Sequence, residues 1–181
     1  MAHNYAPSTR ERISDLVGGM RVETGTFDAA TYINHVTNTG QWELFTVNGV
    51  ILLKHLYIEA ITVWGAGASV VSFTYTSSSP TIAVAEICDA SASVATLAQG
   101  GRIVWPGGIV ATLATITPSA GISDYTPPGN PHYIGTYGGT GTIGMLTATA
   151  TLASGTARAF MNYIPLEVGA SVTANTLPQA P

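Results

Sequence analysis

The sequence predicts an all-β, antiparallel protein built as a sandwich or barrel. Three observations predict it. Apolar, strand-like runs recur at short intervals from Trp42 onward, separated by Ser/Pro or Gly/Pro clusters. Asn48-Gly49, a pair suited to turns that need positive φ, lies between two of these runs. Thr147-Ala148-Thr149-Ala150-Thr151-Leu152 alternates strictly, with the period of two that puts successive side chains on opposite sheet faces.

Residues 1–28 stand apart by charge, and we read them as an N-terminal arm. Seven of the chain's charges fall there: Arg10, Glu11, Arg12, Asp15, Arg21, Glu23 and Asp28. Ser8-Thr9-Arg10-Glu11 has capping-box spacing, with Pro7 before it and Gly18-Gly19 after. The segment is then either a short helix over about 9–17, with Ile13, Leu16 and Val17 as its apolar stripe, or an extended arm ordered by a partner.

Residues 29–172 form the β domain. Trp42 to Val47 is a strand, Asn48-Gly49 a hairpin turn, and Val50 to Trp64 a long strand. Its even positions, Val50, Leu52, Leu56, Ile58 and Ala60, make an apolar face interrupted by Lys54. Its odd positions put His55, Tyr57 and Glu59 on the other face. Further strands are expected at Ala68–Thr76, Thr81–Cys88, Arg102–Trp105 and Ile109–Ile116. Residues 118–131, with four prolines, read as a long loop, and Gly135 to Gly144 as a loose glycine-rich one. A last hairpin joins Met145–Leu152 to Thr156–Leu166 through Ala153-Ser154-Gly155. The uncharged stretch from Gly169 to Pro181 reads as mobile, with residues 173–181 a flexible tail.

Low charge points to an assembly component rather than to an enzyme. The 181 residues include only six Lys/Arg and ten Asp/Glu, 9% in all, against roughly 25% in an average soluble domain. A soluble surface is normally well charged, so so neutral a body predicts a surface covered by partner copies. No basic stripe exists to neutralise phosphates, which argues against nucleic acid. The uncharged stretches 60–85 and 103–123 are broken by Gly, Ser and Pro, which argues against membrane spans. Met1 to Arg21 lacks the apolar stretch of a secretory signal, so folding without export is expected. Cys88 has no partner for an internal disulfide and reads as a buried structural thiol.

Chemistry is sparsely signalled. Gly139-Thr140-Gly141-Thr142-Ile143-Gly144 matches G-x-G-x-x-G, but β-type alternation follows it where a helix N-terminus would be needed to hold a pyrophosphate. It reads as a flexible glycine loop. His3, His35, His55 and His132 lack metal-ligand spacing. His55 and Glu59 share a face but lie roughly 13 Å apart along a strand, too far for a direct bond. No nucleophile motif is present. We expect no enzyme, no cofactor and no metal. Trp42, Trp64 and Trp105 are expected in the core. Tyr125, Tyr133 and Tyr137, near the loops, are the candidates for stacking on a sugar.

Trp42-Glu43-Leu44-Phe45-Thr46-Val47-Asn48-Gly49-Val50, with Gly65-Ala66-Gly67-Ala68-Ser69 further on, and the ending Ala159-Phe160-Met161-Asn162-Tyr163-Ile164-Pro165-Leu166-Glu167-Val168-Gly169-Ala170-Ser171-Val172 carry a resemblance. Together they resemble small β-rich virion proteins of tailed bacteriophages, the head decoration or cement proteins. The match spans about residues 42–76 and 142–172; the Pro/Gly-rich stretch 118–144 departs from it. The resemblance implies a jelly-roll-like β-sandwich, a homotrimer, and a major capsid protein as partner. It implies a place on the virion's capsid surface, after synthesis in the host cytoplasm. The expected contacts with capsid or sister subunits are Arg10, Arg12, Ile13, Leu16 and Arg21 in the arm, with His55, Tyr57 and Glu59 on the long strand. The alternative is a receptor- or glycan-binding module of a tail or head fibre, using Tyr125, Tyr133 and Tyr137.

Overall fold

A computed structural model describes residues 19–29, 42–65, 70–78, 81–88, 91, 94, 96–105, 114–116, 132–148 and 154–177. They form twelve strands: β1 (Met20–Glu23), β2 (Phe27–Asp28), β3 (Trp42–Asn48), β4 (Ile51–Ala60), β5 (Val70–Ser78), β6 (Thr81–Glu86), β7 (Arg102–Val104), β8 (Ala114–Ile116), β9 (His132–Ile134), β10 (Thr140–Ala148), β11 (Thr156–Pro165) and β12 (Ser171–Ala174). The protein is all-β, a sandwich of two antiparallel sheets. The first sheet runs β1-β11-β4-β7-β8, with β2 also on β11 and β9 also on β4. The second runs β12-β3-β10-β5-β6. Four pairings nest from the chain's ends inward: β1 with β11, β3 with β10, β4 with β7, and β5 with β6.

Alternation supplies the core between the sheets. Leu56, Ile58 and Ala60 of β4, Ala157, Ala159 and Met161 of β11, Phe73 of β5 and Ile143 and Met145 of β10 all point inward and are fully buried. Trp64 and Trp105 are buried as expected; nothing is described of the Trp42 side chain. Cys88 is buried too, its sulfur accepting the Phe73 amide at 3.4 Å.

Several expectations change. Asn48-Gly49 is not a hairpin turn, because β3 and β4 belong to different sheets; Gly49 supplies positive φ for a crossover between them. The β10–β11 connection likewise crosses from one sheet to the other. The long strand does not hold one phase. Asn162 faces His55 while Tyr163 faces Leu53, so Lys54 is the extra residue of a bulge. Ile51 and Leu53 are buried before it, Leu56, Ile58 and Ala60 after it, and Leu52 turns outward.

Glycines 141 and 144 lie within β10 rather than in a flexible loop. A Cβ at Gly141 would overlap the Tyr75 phenol, so the glycine makes room for a ring. Strand pairing begins at Met20, inside the charge-rich N-terminal stretch, and Phe27 enters the core. It also extends past Gly169: β12 pairs with β3, the Asn175 amide donates to the Leu44 carbonyl at 3.0 Å, and Leu177 is buried. The expected helix over 9–17, the loop 118–131 and residues 178–181 lie outside the described residues.

Candidate functional site

The outer face of the first sheet gathers the predicted contact residues that are described. On β11, inward Ala157, Ala159 and Met161 leave Arg158, Phe160 and Asn162 pointing out. After the Lys54 bulge, β4 presents His55, Tyr57 and Glu59 to the same side. Register then builds cross-strand rows: Arg21–Asn162–His55, Glu23–Phe160–Tyr57 and Arg158–Glu59–Arg102. Arg21, His55, Tyr57 and Glu59 therefore do share one face. Arg10, Arg12, Ile13 and Leu16 lie outside the described residues.

The centre of this face is a diagonal stack across four strands. Phe160 and Tyr57 pack ring on ring, with centroids 4.8 Å apart and planes 16° from parallel. The Arg21 guanidinium lies 5.1 Å from the Phe160 centroid, and that of Arg102 lies 5.1 Å from the Tyr57 centroid. Each arginine also meets a carboxylate: Arg102 Nε donates to Glu59 at 2.7 Å, and Arg21 to Glu23 at 3.1 Å. Arg158 Nε donates to Thr26 Oγ1 at 2.8 Å. Burial pushes the Tyr57 hydroxyl's pKa up, with Arg102 and Arg21 opposing. Burial and then Lys54 hold the His55 pKa below its ordinary value. A cation–π contact at a partly exposed site contributes about 0.5–1 kcal/mol, so the stack fixes side-chain positions more than it stabilises the fold.

Phe160, Arg102 and Arg158 were not singled out from sequence. The signal that places them is register with β4, and register depends on pairing between segments far apart in sequence.

The outer face of the first sheet presents stacked rings and paired charges. Its carboxylates are engaged with arginines, and no cluster of His, Cys, Asp or Glu among the described residues has the makings of a metal site. Tyr133 and Tyr137 are strongly exposed, on β9 and in the turn before β10; Tyr125 lies outside the described residues. No protein-family model, curated protein or solved structure matches this chain.

Proposed function

We propose that this chain is a structural virion protein that binds the outside of a phage capsid, at junctions between major capsid subunits, and stabilises the shell. On this reading it acts as a homotrimer, without catalysis or cofactor, and its sandwich is a jelly roll. The nested order of strand pairing carries the proposal. Pairing β1 with β11, β3 with β10, β4 with β7 and β5 with β6 is how a jelly roll folds a long hairpin over itself, an architecture found in viral capsid domains among others. The low charge supports it too: a neutral surface meets a lattice without the cost of desolvating charge, and several weak contacts made together give avidity.

The test is the copy number of this chain in purified particles of its parent virus, relative to the major capsid protein. Hundreds of copies in fixed ratio to the shell are expected. A handful would move the protein to a tail or fibre, and complete absence would overturn the virion reading. Capsid attachment after deletion of residues 1–18 tests the arm without removing β1 and β2.

The exposure of Tyr133 and Tyr137 favours one second reading, a glycan- or receptor-binding module. It predicts binding on a glycan array that Tyr133→Ala and Tyr137→Ala abolish.

A further inference from the structure

The outer face of the first sheet changes character at the Lys54 bulge. On one side lies the stack of arginines, carboxylates and rings. On the other side the outward residues are apolar. Tyr133 of β9, Leu52 of β4 and Ile164 of β11 form one cross-strand row. The next row toward the sandwich end is Gly135, Val50 and Leu166, with the Leu166 amide donating to the Val50 carbonyl at 3.0 Å. Gly135 packs so closely on the Gly49 carbonyl that a Cβ has no room there, so the crossover backbone closes this row.

Two side chains protrude at the rim. Tyr137 is 89% exposed and Val168 fully exposed, at 106%. Both sit on turns fastened to each other, because the Glu167 carboxylate accepts the Gly138 amide at 3.1 Å. The Gly49 amide, donating to the Gly139 carbonyl at 2.8 Å, ties the crossover to the same turn. Of the large apolar side chains exposed among the described residues, Tyr133 (69%), Tyr137, Leu166 (44%) and Val168 all belong to this end. Protruding apolar side chains are thus held together on one surface, with the Glu167 carboxylate turned onto a backbone amide.

We infer that this end of the first sheet is where one copy of the chain binds another. Area favours a second copy. With about 150–250 Å² per aromatic side chain, the two tyrosines expose roughly 300 Å², and with the aliphatic residues the patch reaches roughly 500 Å². Two such patches together bury on the order of 1,000 Å², the threshold for a specific interface. Such a contact is rich in tyrosine and poor in charge, like the buried centre of a protein interface. The inference gives a surface to the self-association in the decoration reading, and it is tested on the isolated chain so that each can fail alone.

The experiment is sedimentation velocity of the full chain at concentrations up to about 100 μM, with Tyr133→Glu, Leu166→Glu and, as a control, Val63→Glu. Val63 is 57% exposed and lies after β4, away from the patch. The inference expects the unmodified chain to associate, both patch variants to weaken association at least roughly tenfold, and the control to match the unmodified chain. Circular dichroism checks folding, and Tyr133→Ser replaces any variant that does not fold. A monomeric unmodified chain overturns the inference, as does association that survives both patch changes or is weakened equally by the control. A monomer that loses capsid attachment or glycan binding on Tyr133→Glu also overturns it, assigning the patch to that other occupant.

Discussion

Tyr163, on β11 of the first sheet, accepts a hydrogen bond from the backbone amide of Val172, on β12 of the second, at 3.1 Å. β12 ends its sheet, and an end strand offers free amides and carbonyls to any other chain's strand. The buried phenol takes one of those donors from inside the sandwich, joining the two sheets and leaving the edge with one fewer group to share.

Tyr163→Phe keeps the ring and removes the acceptor. Leaving that amide without its partner costs about 1–3 kcal/mol. The expected result is a lower urea midpoint at unchanged slope, with faster hydrogen exchange at Val172. An unchanged midpoint would show that water replaces the phenol at no cost.

Gly141→Ala tests why the glycine motif is where it is. The added methyl overlaps the Tyr75 ring, and overpacking of this kind costs about 1–3 kcal/mol. In a Tyr75→Leu background the same change should cost much less. Equal penalties in both backgrounds would place the effect in the backbone instead of the ring.

What the sequence hides here is long-range partnership. The runs at Trp42, Val50, Thr81, Arg102 and Thr156 are legible because alternation and turn residues act within a few positions. Asn48-Gly49 and Ser154-Gly155 look like hairpin turns because glycine provides positive φ. Positive φ lets the chain turn sharply, but which sheet receives the next strand is decided by partners far away in sequence.

Lys54 shows a legible signal taken at half its value. It interrupts the even-numbered face because an extra residue has shifted the phase, so Val50 and Leu52 lie outside, not in the core. β1 and β2 were hidden by charge: Arg21 and Glu23 mark an outward-facing edge strand as much as they mark an arm. On the outer face of the first sheet, the shared side of His55, Tyr57 and Glu59 followed from alternation alone. Phe160 and Arg102 required register.

The ring pair on that face should be measurable as a coupling. A double-mutant cycle with Tyr57→Leu and Phe160→Leu is expected to give about 0.5–1.5 kcal/mol of interaction from denaturant unfolding. The ion pair beneath it, between partly exposed Arg102 and Glu59, should give a coupling below about 1 kcal/mol that shrinks in high salt. A larger coupling for the ion pair than for the rings would reverse this ranking.

His55 makes stability depend on pH with a definite sign. Burial, and then the charge on Lys54, hold its pKa in the folded protein below the ordinary 6.5. Asn162 faces it from β11, with Arg21 beyond on β1, so the facing strands bring no carboxylate in register with it. Between the two pKa values the unfolded chain binds more protons than the folded one, and stability therefore rises with pH across that window. It is lost as pH falls from above 6.5 through the folded pKa. His55→Gln removes the group that titrates, so its Tm should vary less than that of the unmodified chain between about pH 5 and pH 7. Near pH 8, where the imidazole is neutral in both states, the difference in Tm should be constant. Parallel profiles for the two proteins throughout would assign the acid sensitivity to other groups.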